Sequence, residues 1–490
     1  MTRMSLNWTG CTIRSIGLLL SLLLLAASGL ASFGGKGSAA SVSLLNGTQF
    51  KDTSGNPIQA HGGGMIKVGS YYYWVGENRD GTNYVSLYRS TDLVNWEFRA
   101  NLLSKSSSAE LAAANIERPK ILHNAATGKY VLWAHKENGV DYGEARVAVA
   151  SADDIEGPYT YHGSFRPLGY DSRDMTVFND NGTAYLISAT RVNADLNIYK
   201  LTPDFLGIDS LVTTLWAGSY REAPAMFKRG STYFLITSGA TGWTPNQAKY
   251  ATASSIAGPW SGLSNLADSR TYESQSTYVL PVEGASSTSY LYLGDRWAGA
   301  WERPVNESKY VWLPLSFPTS TTVTMSWYPK LNIDAAAGTV SGVGFSVNGS
   351  ASYELINRRS EKALNIRDSS TSSGADAEQW TDNNADSERW RLIDAGSGYY
   401  KIQNVNSGLI LGPENGSAAD GTVIEQWTDG GWQSQHWQLV DAGGGFFKLK
   451  NRATGKLIDV SSSSLSDGAN VIGWTDNGGL NQQWQIVEAN

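Results

Sequence analysis

The sequence predicts an all-β chain, a five-bladed β-propeller followed by a β-trefoil, and three observations lead there. Tyrosine-led apolar runs recur five times across residues 44–340, spaced by the 48 to 59 residues that one four-stranded blade needs. A second repeat fills residues 346–490 as three copies with a period of 47 residues. Strand-type alternation dominates, and long helical patterns are absent. The composition agrees: 17% charged, 11% aromatic and 52 Gly in 490 residues suit tight-turned sheets carrying aromatic platforms.

The N-terminus reads as a secretory signal over residues 1–31, with cleavage as late as residue 40. Arg3 and Arg14 belong to its polar start, Ile16 to Ala27 form its apolar run, and small residues follow at Gly29-Leu30-Ala31 and Ser38-Ala39-Ala40. That run is short for a bilayer span, and no other stretch is long and apolar enough to cross a membrane. The expected mature protein is secreted and extracellular, with no membrane partner. The single cysteine, Cys11, leaves with the signal, which excludes a disulfide scaffold, a Cys-ligated metal and a Cys nucleophile. A net charge of −7 without a basic run excludes nucleic acid, since phosphate binding needs clustered Lys and Arg.

The five blade signatures start at Tyr71, Tyr130, Tyr185, Tyr233 and Tyr290. An apolar strand precedes each, and polar groups stand three or four residues ahead of its centre: His61-Gly-Gly-Gly, Glu117-Arg-Pro-Lys, Arg173-Asp174, Arg221-Glu222 and Ser274-Gln275. A propeller gathers the N-terminal ends of its innermost strands around one funnel, so Glu117, Asp174, Glu222 and Gln275 are expected to converge. Three carboxylates and an amide suit glycoside hydrolysis, which needs one carboxylic acid to protonate the leaving oxygen and usually a second carboxylate to activate water. Burial or a neighbouring negative charge must keep that acid protonated near neutral pH, a role Asp174 fits toward Glu222. Glu77, Tyr142, Thr241, Trp243, Asp295 and Trp297 are the candidate sugar contacts, pairing hydroxyl-binding groups with aromatic faces. The histidines His61, His123, His135, His162 and His436 show no close ligand pair, and there is no Asp-rich calcium loop, nucleotide fingerprint or Gly-x-Ser-x-Gly elbow. No metal or cofactor is expected.

Residues 317–345 join the two repeats. Their Ser/Thr-rich start and Asp334-Ala-Ala-Ala-Gly338 look like linker, while Met325-Ser-Trp-Tyr-Pro reads as a strand closing the propeller. In the second repeat Trp380, Trp427 and Trp474 keep register, as do Trp390, Trp437 and Trp484, Asn357, Asn404 and Asn451, and Gly374, Gly421 and Gly468. Three equal copies suit a three-fold β-trefoil.

Two resemblances rest on these residues. The copy endings Ser-Glu-Arg-Trp390, Ser-Gln-His-Trp437 and Asn-Gln-Gln-Trp484 resemble the Gln-x-Trp signature of ricin-type lectins and family 13 carbohydrate-binding modules, with Glu388 departing from it in the first copy. That resemblance implies sugar contacts from Asp459, Trp474, Asn481 and Gln482 in the third copy. Copy one is degraded at Asn365 and Glu388, and copy two has Gly412 at the Asp place. The segments Asn115–Lys120, Ser172–Met175, Arg221–Phe227, Thr237–Trp243, Glu273–Tyr278 and Gly294–Trp297 resemble glycoside hydrolase family 43, most of all its exo-β-1,3-galactanase subgroup. The resemblance implies an inverting enzyme on galactan or arabinogalactan, with Glu222 as general acid, Asp174 as the orienting, pKa-modulating carboxylate and Glu117 binding the innermost sugar. Most of the larger family carries a first-blade Asp as base, and here His61-Gly62-Gly63-Gly64 stands in that place. The subgroup shares this absence and assigns the water to Gln275, with His61 the rival base. The missing Asp weighs against an α-L-arabinofuranosidase or β-xylosidase, and the intact Glu222 and Asp174 against a protein that only binds carbohydrate.

Overall fold

A computed structural model describes residues 41–489, so the signal segment expected at 1–31, or up to 40, lies outside the described residues. Within them the chain is strand and turn with short 3₁₀ segments and no α-helix. Five antiparallel four-stranded sheets follow in chain order, each laid down as a simple meander. Their first strands are His61–Val68, Asn115–His123, Met175–Asp180, Arg221–Arg229 and Gln275–Glu283. Each of these packs on the next, and the fifth returns to the first, so the arrangement is ring-like and propeller-like. The tyrosine-led runs are the second strands of the five sheets, as in Tyr71–Glu77 and Tyr130–Glu137.

The cores lie between adjacent sheets, because each sheet buries both faces against its neighbours. The first and fifth sheets meet through Trp74, Trp96, Tyr310 and Trp312, with Trp74 and Tyr310 ring centroids 4.7 Å apart in edge contact. Residues 317–345 carry three short strands, and the strand expected over Met325-Ser-Trp-Tyr-Pro is confined to Thr324–Met325, with 326–329 outside any strand. Thr324–Met325 supplies the fourth strand of the fifth sheet, beside Leu315 and Ser316. Lys330–Asp334 and Thr339–Val343 form a hairpin whose turn is the alanine run, and Val42–Leu45 pairs with its first strand. Alternation explains this: Leu331 and Ile333 point into the closing core alongside Leu44 while Asn332 faces out.

The second repeat folds into twelve strands sharing one core, the β-trefoil its three copies predict. Trp390, Trp437 and Trp484 are wholly buried, and their indole N–H groups donate to the carbonyls of Leu364, Leu411 and Ile458 at 3.0, 2.9 and 3.3 Å. Asn357, Asn404 and Asn451 donate side-chain N–H to the carbonyls of Asn481, Ser387 and Ser434 at 3.0, 2.9 and 2.7 Å. The repeated residues are therefore core and turn fasteners. The trefoil rests on the ring through buried ion pairs, Arg358 to Glu273 at 2.6 Å and Glu361 to Arg296 at 3.3 Å.

Candidate active site

The N-terminal ends of the five first strands carry His61, Glu117, Asp174, Glu222 and Gln275, and four of the five side chains line a common cavity of about 330 Å³. A repeated backbone device aims them. In the first, second and fourth sheets the ladder slips near the strand entry, between His61 and Gly64, Glu117 and Lys120, and Glu222 and Ala225. Within each slip one residue takes a left-handed conformation: Gly62 at φ +58°, Arg118 at +54° and Ala223 at +51°. Such bulges bend a strand and redirect its side chains.

Glu222 is the pivot. It is 8% exposed, and burial, then the adjacent Asp174 charge, push its carboxyl up to about 8 despite Arg118. Its Oε1 accepts from Gln275 Nε2 at 3.0 Å and its Oε2 from Asn193 Nδ2 at 2.9 Å. Asn193 Oδ1 is buried without a partner, so a half-turn of that amide gives the protonated Glu222 O–H an acceptor. Asp174 accepts from Arg118 at 3.0 Å and from the Ala223 N–H at 3.2 Å, which holds its charge beside the Glu222 backbone.

The Gln275 amide is fully engaged. Its Nε2 also donates to Ser238 Oγ at 2.9 Å, and its Oε1 accepts from Trp297 Nε1 at 2.8 Å and from Arg118. Glu117 anchors the opposite wall, where its Oε1 accepts from Tyr142 at 2.9 Å and Arg79 at 2.7 Å. Burial alone would raise Glu117, but the charged His135 imidazole, 3.3 Å away, and then Arg79 hold it down to about 2. Burial depresses His135, yet Glu117 and Glu137 outweigh that and push it up to about 9. The wall is therefore a charged network at neutral pH. Glu117, His135 and Asp174 offer ligand atoms within 4.8 Å of one another. A cation there has to displace Arg79, Arg118 and the His135 proton, which already balance those carboxylates.

Of the residues singled out from sequence, Glu77, Glu117, Tyr142, Asp174, Glu222, Trp243, Gln275 and Trp297 line the cavity. Two stand outside it. Thr241 is exposed in its loop, its hydroxyl donating to the Thr244 carbonyl at 2.7 Å and accepting from Asn246. Asp295 is 2% exposed and holds His61 Nδ1 at 3.0 Å and the Gly62 N–H at 2.7 Å. His61 itself stacks on Tyr310 with centroids 4.9 Å apart, behind the wall. The Gly run also has a steric cause: a Cβ on Gly62 meets Glu77 Oε1 at 2.5 Å, so Glu77 fills the space a first-strand side chain would need. Arg79, Arg118, His135, Arg173 and Asn193, with Ala240 and Gly242, complete the lining, and sequence reasoning missed them as site residues. Arg79 follows Glu77 by two residues and His135 ends a blade signature, but Asn193 lies on a turn with no motif.

In the trefoil, burial raises Asp459 to about 6, with Gln482 and Asn481 hydrogen bonds opposing. Asn481 is 5% exposed and Gln482 wholly buried, with Gln482 Nε2 donating to the Thr475 carbonyl at 2.9 Å and Oε1 accepting from the Asn477 N–H at 3.0 Å. Gln435 repeats this pattern in copy two, so the glutamine of the Gln-x-Trp motif ties down a loop. Trp474 is 38% exposed and lies beside Gly421 of the second copy. Asp459, Asn481 and Gln482 are thus brought together, and Trp474 faces the neighbouring repeat.

Comparison with known proteins agrees with this architecture. The profile of glycosyl hydrolases family 43 matches residues 55–278, and that of the ricin-type β-trefoil lectin domain-like family matches 343–427 and 433–490. An exo-β-1,3-galactanase from Clostridium thermocellum is 50% identical over 91% of this chain and 99% of its own, with a TM-score of 0.62. An exo-β-1,3-galactanase from Phanerochaete chrysosporium, solved with β-1,3-galactotriose, is 29% identical over 91% of this chain and 99% of its own, with a TM-score of 0.59. A family 43 β-1,3-galactosidase solved with galactodeoxynojirimycin is 33% identical over 58% of this chain and 99% of its own, with a TM-score of 0.54. The chain belongs to glycoside hydrolase family 43 and carries a C-terminal ricin-type β-trefoil. It is a glycoside hydrolase.

Proposed function

We propose that this protein is a secreted, inverting exo-β-1,3-galactanase that removes galactose from the non-reducing ends of β-1,3-galactan, such as the backbone of arabinogalactan. The catalytic unit is a five-bladed β-propeller over residues 44–340, and the trefoil over 346–490 holds the enzyme to its polymer by a second contact. The observation that carries the reading is Glu222, its carboxyl raised to about 8 in the cavity and hydrogen-bonded to Gln275, with no carboxylate on the first inner strand. A carboxylic acid that keeps its proton at neutral pH is the group a glycosidic oxygen needs as it leaves.

In this mechanism Glu222 donates its proton to the leaving oxygen, and Asp174 keeps it protonated and oriented until then. Glu117 and Tyr142 bind hydroxyls of the innermost sugar, and Trp243 and Trp297, with ring centroids 5.6 Å apart, supply an apolar face. Gln275 places the attacking water. Its four hydrogen bonds leave no free valence, so substrate must replace at least one partner before the water seats. In the single step the water oxygen bonds to the anomeric carbon, the glycosidic bond breaks onto an oxygen that takes the Glu222 proton, and the proton shed by the water passes to solvent, from which Glu222 is reprotonated.

The test is product analysis on β-1,3-galactan, arabinan and xylan with the mature chain and its Glu222→Gln variant. Galactose from galactan alone, reduced in the variant by roughly 10³-fold or more, is the expected outcome. Release of arabinose or xylose instead moves the enzyme elsewhere in the family and rules out Gln275 as the water-placing group.

A further inference from the structure

We infer that the trefoil is part of the catalytic scaffold: its Arg358 is a positioning residue that, through Glu273, sets the orientation of Gln275. The inference rests on the galactanase reading and goes beyond a trefoil that only tethers the enzyme to polymer.

Gln275 opens the fifth first strand, directly after a turn in which Thr271, Tyr272 and Glu273 are all left-handed, at φ +51°, +54° and +61°. Three consecutive residues with side chains adopt this conformation only where their surroundings impose it. The Asp268 carboxylate holds the turn from within the ring, accepting from the Arg270 and Tyr272 N–H groups at 3.1 and 2.8 Å, and the trefoil grips it from two further sides. Arg358 forks onto the wholly buried Glu273, with Nε at 2.7 Å and the terminal nitrogen at 2.6 Å from Oε1. Arg358 is itself held inside the trefoil by Gln483 Oε1 at 2.8 Å and by the Phe446 ring, 4.3 Å from its guanidinium carbon. Arg270 also binds Glu273, from within the ring, at 2.6 Å. Glu273 is thus held between a local and a trefoil guanidinium.

On the second side Arg296 donates to the Tyr272 carbonyl at 3.2 Å and to the trefoil's Gln485 Oε1 at 2.7 Å, and pairs with its Glu361. Arg296 adjoins Trp297, whose indole N–H holds the Gln275 amide oxygen, and Asp295, which is the strand partner of Gln275. The trefoil loop at Gly443, Gly444 and Gly445 closes over the same turn: a Cβ on Gly444 falls 3.5 Å from the Tyr272 ring, and one on Gly445 falls 1.9 Å from Trp327. The residues before Gln275 and those behind its indole partner are therefore both gripped by the trefoil. Without that grip the turn relaxes and the amide that must place water loses its fixed direction.

The experiment measures kcat and KM of the full chain on β-1,3-galactobiose, a disaccharide too short to gain from tethering, for Arg358→Met, Arg358→Lys and Glu361→Gln, with thermal unfolding as the control for folding. Arg358→Met is expected to lower kcat by roughly ten- to a hundredfold with KM little changed, the size of effect that misplacing a reacting group produces. Arg358→Lys, which keeps the charge on Glu273 but not the fork, recovers part of the loss. Folded Arg358→Met with the kcat of the unaltered chain overturns the inference. If that variant does not fold, the other two decide: lowered kcat at constant KM supports the positioning role, and unchanged kcat overturns it. No turnover by the unaltered chain overturns the galactanase reading and this inference with it, whereas turnover insensitive to Arg358 overturns this inference alone.

Discussion

Glu222 and Glu117 have the same side chain in one cavity and opposite chemistry, because their partners differ. Glu222 has burial and Asp174 against it and sits near 8, whereas Glu117 has His135 and Arg79 and sits near 2. As the proposed general acid Glu222 must be protonated to act, so kcat/KM is expected to fall above about pH 8 as it ionises, and a pH–rate profile checks this. A basic limb beginning near pH 5 would mean that Glu222 is not the acid. The linked stability follows the same signs. The contribution of Glu222, raised on folding, is complete below its unfolded value of 4.5 and is lost as pH rises through 8. That of Glu117, lowered on folding, is present above 4.5 and is lost as pH falls through 2. Optimal stability is therefore expected on the acid side of the activity limb.

At the scale of elements, short left-handed turns do the aiming. The turn Arg191-Val192-Asn193 has φ of +49°, +56° and +65°, and its Asn193 reaches Glu222. The Asp171 carboxylate holds it by accepting from Thr190 Oγ1, the Arg191 N–H and the Val192 N–H at 2.9, 2.8 and 2.9 Å. Asp171→Ala removes all three and should cost about 1–3 kcal/mol of local stability, with kcat lowered by roughly tenfold as Asn193 leaves Glu222. Thermal unfolding and steady-state kinetics read both effects, and an unchanged kcat would show that the turn holds its own shape. These turns also mark where reading the sequence stops. The blade period and its phase placed Glu117, Asp174, Glu222 and Gln275 together, because strand alternation and sheet order are written in residue types. Asn193 and Asp171 escaped notice because a left-handed run through Val192 contradicts every local preference of a β-branched residue. Asp295 has a partner its position beside Trp297 does not announce: the bulge at His61 brings the Gly62 N–H onto its carboxylate at 2.7 Å.

At the scale of the whole molecule, two repeats of different period make one hydrolase. The trefoil was the more legible half, since its three copies keep the same fasteners, the buried Trp indoles and the Asn turn bonds, at a constant spacing. What the repeat concealed is how the glutamines serve: Gln435 and Gln482 bind their own loops, and the Glu388 substitution keeps half of that role by accepting from the N–H groups of Asn383 and Ala385. The joint between the halves was not legible either, because Arg358, Glu361 and Arg296 lie far apart in sequence and belong to no motif. Direct displacement by a water that Gln275 places and Glu222 assists inverts the anomeric carbon, and proton NMR of the first turnovers on β-1,3-galactan reads this. α-Galactose is expected to appear first and to equilibrate later to the mixture of anomers. β-Galactose as the first product, or release of longer oligosaccharides in its place, would contradict it.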